Sequence, residues 1–362
     1  MLIGIPREIK NNEYRVAMTP DGVRALTEAG HAVRVQAGAG SDIGFADAAY
    51  RDAGAELVES PAEVYRADMV VKVKEPQPSE TPFLQAGQLL FCYLHLAAAP
   101  DLAKTLLERK VTAIGYETVT DAGGGFPLLR PMSEIAGRMA PQMGALGLMR
   151  PNGGNGTLVT GVPGVPPARM VVIGGGTVGM NAARVAVGLG AHVLLLDRGA
   201  EKLRRAEELF GARCETAFAT PGEITRAVRQ ADIIIGAAMV AGRRAPRIVT
   251  REHLRTMRPG SVLVDVSIDQ GGIAETSRPT THSEPFYMDE GVVHYCVTNM
   301  PGAVARTATL ALTQATLPFI TALANKGSDA CTDNPHLGKG LQIQDGKIVY
   351  PGLAEDILKR GQ

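Results

Sequence analysis

The sequence predicts an α/β protein built from two doubly wound parallel sheets, one of them assembled from both ends of the chain. Three observations predict it. Short β-branched runs alternate with helical stretches along most of the 362 residues, the pattern of parallel strands joined by crossover helices. A glycine-rich turn at residues 174–179 falls between such a run and such a helix. Two further stretches read as long helices, residues 131–150 and 303–325, and they flank the middle block. The boundaries expected from this pattern are an outer domain of residues 1–128 and 306–362 and a middle domain of residues 129–305.

In the first third, strands are expected at Val33–Gln36, Met69–Val73, Gln88–Tyr93 and Val111–Gly115, with helices at Asp21–Ala29, Pro61–Arg66 and Pro100–Glu108. Thr19-Pro20-Asp21 reads as a helix start, with a capping hydroxyl and then proline in the first turn. The middle block is more regular. Arg169–Ile173 is a strand, followed by glycines and a helix from about Val178 to Leu189. His192–Leu196 is the next strand and runs into Asp197. Glu201–Phe210 and His253–Met257 read as helices, and Ile233–Gly236, Val262–Val266 and Val292–Val297 as buried strands.

Composition narrows the class. Lys plus Arg and Asp plus Glu are 37 each, so no global field draws the chain to nucleic acid or an anionic membrane. The four cysteines lack metal-ligand or redox spacing and read as buried, reduced thiols, with no metal site expected. The N-terminus lacks a basic segment followed by an apolar run, so no secretory leader is expected. Residues 170–196 are interrupted by glycines, and residues 307–325 carry five threonines, Gln314 and Pro318. Both are expected to be buried elements of a soluble protein rather than membrane spans.

Gly174-Gly175-Gly176-Thr177-Val178-Gly179 matches G-x-G-x-x-G between a strand and a helix. The first glycine permits the tight turn, the second admits a pyrophosphate to the backbone, and the third lets helix and strand pack closely. The helix N-terminus offers free N–H groups to the phosphates. Asp197, at the end of the next strand, can accept both ribose hydroxyls and would repel a 2′-phosphate. The cofactor expected is therefore NAD rather than NADP.

Four more polar residues lie where strands end or loops begin. Lys74 follows Val70-Val71-Lys72-Val73, and with Pro76 ending the strand it reads as the residue at the tip. His95 ends an apolar run and reads, taken alone, as a hydrogen-bonded core histidine. Arg15 alone reads as a solvated arginine, and Asp269, before Gln270-Gly271-Gly272, as a turn residue. As a set they suit chemistry on a small amino acid or hydroxy acid. The arginine can clamp a carboxylate, the lysine can polarise a carbonyl, the histidine can move a proton, and the aspartate can orient water.

The order of short motifs extends this set. Gly4-Ile5-Pro6-Arg7-Glu8, Asn11-Asn12-Glu13-Tyr14-Arg15-Val16-Ala17, Lys72-Val73-Lys74-Glu75-Pro76 and Tyr93-Leu94-His95-Leu96-Ala97 come first. Pro131-Met132-Ser133-Glu134-Ile135-Ala136-Gly137-Arg138, the run from Gly161 to Pro167, the glycine fingerprint, Ile268-Asp269-Gln270-Gly271-Gly272, Arg278-Pro279-Thr280-Thr281 and Asn299-Met300-Pro301 follow. The chain resembles, nearly end to end, the alanine dehydrogenase family, which includes the NAD-binding subunit of proton-translocating transhydrogenase. The resemblance implies two Rossmann-like domains and reversible oxidative deamination of L-alanine to pyruvate and ammonium. It implies that Arg15 and Lys74 hold the substrate, that His95 is the acid/base, and that Asp269 assists the water or ammonia step.

Cofactor contacts are implied at Ser133, Gly174, Gly176, Thr177, Val178, Gly179, Asp197, Lys202, Ala238, Met239, Ile268, Asp269, Arg278, Val297, Asn299 and Met300. For Ser133 a helix-cap role, for Lys202 a solvated helix position, and for Arg278 a surface-loop position remain open from the residues themselves. A homohexamer in the cytoplasm is also implied. The sequence departs from the family at Ala219-Thr220, where a serine often contacts the adenosine. Two other readings of the chain stand beside the dehydrogenase: a nucleotide-binding subunit that docks on a membrane partner, and a catalytically silent NAD sensor.

Overall fold

The computed structural model describes residues 1–239 and 244–354; residues 355–362 of the expected outer domain lie outside them. The chain divides into two units, Met1–Met132 with the described residues from Gly302 onward, and Ser133–Pro301.

In the outer unit, β1 (Leu2–Ile5), β2 (Ala32–Gln36), β3 (Glu56–Val58), β4 (Met69–Val71), β5 (Leu89–Cys92) and β6 (Thr112–Gly115) form a parallel sheet in the order β3-β2-β1-β4-β5-β6. Crossovers run through α1 (Pro20–Glu28), α2 (Asp47–Asp52), α3 (Pro61–Val64) and α4 (Pro100–Glu108). The Thr19 hydroxyl caps α1 by accepting the Gly22 N–H at 3.2 Å, with Pro20 in the first turn.

The middle unit carries most of α5 (Arg130–Leu148). Its strands are β7 (Arg169–Ile173), β8 (His192–Asp197), β9 (Cys214–Phe218), β10 (Ile233–Gly236), β11 (Val262–Asp265), β12 (Phe286–Asp289) and β13 (Val292–Tyr295). Helices α6 (Thr177–Gly188), α7 (Ala200–Phe210), α8 (Pro221–Gln230) and α9 (Arg251–Arg255) connect them. The parallel order is β9-β8-β7-β10-β11-β13, with β12 antiparallel on the edge. Both units are thus α/β domains with the same doubly wound order, and in each the order reverses beside the first strand. That reversal opens the crevice in which such sheets bind ligands.

The chain returns to the outer unit through α10 (Ala305–Lys326), α11 (Asp329–Asp333) and α12 (Pro335–Gly338). It then adds an antiparallel hairpin, β14 (Leu341–Gln344) and β15 (Lys347–Ile348), beside β6. Residues 300–326 are helical, long and apolar enough to cross a membrane by length and composition, and 44% of the most apolar window is buried inside the protein. The buried stripe of α10 runs through Thr309, Leu312, Thr313, Thr316 and Ile320, the i, i+3, i+4 spacing of a helix packed on one face.

Several sequence expectations shift. β4 stops at Val71, so Lys74 lies beyond the strand. Lys72 N–H still reaches the Phe91 carbonyl at 3.1 Å, and the Val73 carbonyl still accepts from Tyr93 N–H at 3.1 Å, so the pairing outlasts the strand before the backbone bends at Val73 and Lys74. β1, β3, β9, β12, β14 and β15 have no counterpart in the sequence reading. β9 buries only its first residue fully and so makes no apolar run, and β3 and β15 span three and two residues.

Ile234 is wholly buried in β10, between β7 and β11. Ile234→Ala should cost about 2–5 kcal/mol, read as a lower urea midpoint for the unfolding of the middle unit. An unchanged midpoint would contradict this packing.

Candidate active site

In the outer unit, the loops after β1, β4 and β5 carry Arg15, Lys74 and His95 to the carboxyl end of the sheet, at its order reversal. Arg15 is 2% exposed, which corrects the expectation of a solvated arginine. Its Nε and Nη2 donate to the two Glu13 oxygens at 2.6 and 2.5 Å, and Nη1 meets the Met132 sulfur at 3.1 Å. Burial works to lower the Arg15 pKa, but the bonds and charge of Glu13 outweigh it and raise it above the ordinary value. From the returning chain, the Thr309 hydroxyl accepts the Val16 N–H at 3.2 Å and fixes the backbone next to Arg15.

Beneath Lys74 lies a cluster that the sequence reading left without a role. The wholly buried Lys72 ammonium is 3.2 Å from Glu8 and 2.9 Å from Glu80. Burial works to lower its pKa, and the two carboxylates overcome that and raise it. Glu80 also accepts from the Tyr65 hydroxyl and the Gln77 N–H, at 2.9 and 2.7 Å. Glu8 Oε1 accepts the N–H groups of Val73 and Lys74, at 2.6 and 3.4 Å. The chain that presents Lys74 is therefore held from below by a buried ionic cluster. The available signal was a lysine inside the apolar run Met69-Val70-Val71-Lys72-Val73.

His95 is exposed, not in the core, and its ring stacks 5.9 Å from that of the buried Tyr93. Its backbone is left-handed, at φ 48° and ψ 39°, uncommon for a residue with a side chain. Glu117 accepts the N–H groups of Leu94 and His95, at 3.1 and 2.8 Å.

The middle unit presents a dinucleotide cradle. Gly174 has φ 109°, and a Cβ there would lie 2.6 Å from the Ala237 carbonyl oxygen. A Cβ at Gly179 would fall 1.7 Å from the Gly174 carbonyl oxygen, whereas one at Gly176 would meet nothing within 4 Å. The protein's own packing therefore requires the first and third glycines and leaves open space at the second, where a pyrophosphate would approach. Thr177 and Val178 open α6 beside it.

Asp197 accepts the N–H groups of Gly175 and Gly199 at 2.7 and 2.8 Å and the Lys202 ammonium at 3.2 Å. Burial works to raise its pKa, but these donors hold the carboxyl below its usual range. Lys202 is half-exposed on α7.

Other residues expected at the cofactor follow the ends of β10, β11 and β13. Ala238 and the exposed Met239 come after β10, and the Ala238 carbonyl accepts the Ser267 hydroxyl at 2.8 Å. Ile268 is buried and Asp269 exposed in a short 3-10 turn, Val266–Gln270. Asp265, absent from the sequence reading, ties this loop together. It accepts the N–H groups of Ser267 and Ile273 at 3.1 and 2.7 Å and the Ser277 hydroxyl at 2.5 Å. Val297 and Met300 are buried, and Asn299 is left-handed with φ 60°.

Arg278 is an exposed loop residue whose guanidinium lies 4.0 Å from the centre of the Tyr287 ring. Ser133 is the fourth residue of α5, too far into the helix to cap it. Thr220, beside Ala219, caps α8 by accepting the Glu223 N–H at 3.3 Å and keeps its own O–H as a donor.

A glycine cradle with its ribose-side acid, on one of two doubly wound units, defines a dinucleotide-dependent dehydrogenase class. The chain belongs to the alanine dehydrogenase/PNT family: residues 4–136 match the model of its N-terminal domain and residues 140–351 that of its C-terminal domain. It is 55% identical to the alanine dehydrogenase of Halomonas elongata over 98% of this chain and 96% of that one. Among solved structures, an L-alanine dehydrogenase superposes with a TM-score of 0.97 at 50% identity, covering 99% of each chain. The transhydrogenase from Sinorhizobium meliloti gives 0.82 at 25% identity, over 97% of this chain and 99% of that one.

Two experiments test this geometry. Gly176→Ala should leave Tm unchanged and weaken NAD binding by about tenfold or more, a loss of ~1.4 kcal/mol, whereas Gly179→Ala should lower both. Normal NAD affinity in Gly176→Ala would remove the close pyrophosphate approach. Lys72→Met leaves Glu8 and Glu80 without their shared ammonium and should destabilise the protein by about 3–5 kcal/mol, seen as a large fall in Tm. A Tm equal to wild type would show that the ion cluster contributes nothing.

Proposed function

We infer that this chain catalyses the NAD-dependent, reversible oxidative deamination of L-alanine: alanine, NAD⁺ and water give pyruvate, ammonium, NADH and a proton. The observation that carries this reading is the pairing of a complete glycine cradle and Asp197 with a buried arginine and a lysine held at the reversal point of the other sheet. Full-length similarity to alanine dehydrogenases supports it.

Bound in the cradle, NAD accepts or returns the hydride. The protein's residues supply the rest. Gly174 to Gly179 and the α6 N-terminus receive the pyrophosphate, with Thr177 and Val178 at its edge, and Asp197 accepts from the ribose hydroxyls. Ser133, Lys202, Ala238, Met239, Ile268, Arg278, Val297, Asn299 and Met300 complete the cofactor contacts. Glu13 fixes the Arg15 guanidinium through Nε and Nη2, and that cation receives the substrate carboxylate. Lys74 donates to the carbonyl oxygen of pyruvate and stabilises the negative charge that develops there.

His95 takes the proton from the attacking water and returns it to the leaving amine. Asp269 orients water and the departing ammonia through the carbinolamine. The same reading carries a homohexamer acting in the cytoplasm. The exposed valines of the 162–165 hairpin, at 54% and 59% exposure, are apolar surface that assembly would cover.

The docking-subunit reading rests on the transhydrogenase likeness, which is the weaker one in both identity and superposition. Purified chain incubated with NAD and a panel of L-amino acids at alkaline pH separates the two by NADH absorbance. L-Alanine should be turned over well above the rest. Side activity on close analogues is expected, because one methyl group in a pocket is worth only about 1–3 kcal/mol. No turnover with NAD binding intact would replace the dehydrogenase by the docking or sensing reading.

A further inference from the structure

We propose that Gln342, from the C-terminal hairpin, is a positioning residue for His95, acting through Glu117; the proposal rests on the acid/base role given to His95 above. His95 holds a left-handed backbone that its side chain disfavours, and such a conformation persists only where its surroundings enforce it. Glu117 supplies the enforcement by accepting the adjacent Leu94 and His95 N–H groups, one on each oxygen.

Glu117 is itself held. The Gln342 side-chain amide donates to Glu117 Oε1 at 3.0 Å and reaches Thr118 Oγ1 at 3.3 Å. Two features of the fold make this reach possible. The β14–β6 register shifts between Leu341 and Ile343, so Gln342 is the extra residue of a bulge, a device that re-aims a side chain. Beside its side chain lies Gly115, where a Cβ would lie 2.1 Å from the Gln342 amide nitrogen. The amide passes through the space that a side chain at 115 would fill. Gln342 is 3% exposed, and its carbonyl accepts the Val349 N–H at 2.9 Å, so the hairpin backbone is anchored independently of the side chain. The path from Gln342 through Glu117 to the His95 amide sets the direction in which the imidazole is presented.

The test uses Gln342→Met, which keeps the volume and removes the donor, beside His95→Ala as reference. Misplacing a catalytic group by about 1 Å can cost up to ~100-fold. Gln342→Met should therefore lower kcat about five- to fiftyfold, with the KM for NAD and Tm near wild type. Hydrogen exchange of the Leu94 and His95 amides should speed up locally. Gly115→Ala should reproduce the kcat loss by blocking the path. A wild-type kcat in Gln342→Met, or a loss that tracks a global fall in Tm without faster exchange at 94–95, would overturn the proposal. If His95→Ala itself keeps near-normal turnover, the acid/base reading fails instead, and the exchange result alone then decides whether Gln342 holds this backbone.

Discussion

A parallel strand loses its ladder partners where it ends, and the amides just beyond it must find acceptors elsewhere. Among the described residues carboxylates take up amides beyond strand ends at several places, four of them at the candidate site. Glu8 holds Val73 and Lys74, Glu117 holds Leu94 and His95, Asp197 holds Gly175 and Gly199, and Asp265 holds Ser267 and Ile273. Each bond to a charged acceptor is stronger than one between neutral groups, so loops that would otherwise be adaptable become fixed. Three of the four segments held in this way carry or adjoin a residue with a proposed chemical role, and the fourth is the glycine cradle.

The cost of this arrangement appears in the burial of charge. Lys72 between Glu8 and Glu80, and Arg15 on Glu13, are ion clusters removed from water. Apolar residues of similar volume would often stabilise a fold as well or better. What the ionic versions add is direction: each fixes a backbone or a guanidinium edge at the crevice of the outer sheet. The two units share one strand order but divide the work. The middle unit surrounds its reversal point with glycine and backbone N–H groups suited to phosphate, and the outer unit surrounds its own with paired cations suited to a small carboxylate.

Much of this was legible in the sequence where the signal is local. The glycine fingerprint, the acid at the end of β8, the Thr19 cap and the strands with long apolar runs follow from neighbouring residues, because propensity, turn chemistry and periodicity act over a few positions. Arg15 and His95, read singly, pointed the wrong way, one toward solvent and the other toward the core. Their true burial depends on Glu13, Met132 and Glu117 in the fold. The C-terminal hairpin had a readable turn in Asp345-Gly346, both with positive φ, yet nothing local says which strand it joins.

By itself, therefore, the sequence determined the doubly wound class, the dinucleotide cradle, the motifs of its family and the residue types available for chemistry. Only the tertiary structure decided that Lys72 stays buried between two carboxylates, that Asp265 ties its loop, and that Gln342 reaches Glu117 across Gly115. Those contacts range from two positions apart, Ser267 with Asp265, to 225, Gln342 with Glu117, and even the near ones need a buried setting that no local pattern announces. Removing charged groups and amides from water costs energy that only their mutual attraction and hydrogen bonds repay, and that pairing depends on which strands end side by side.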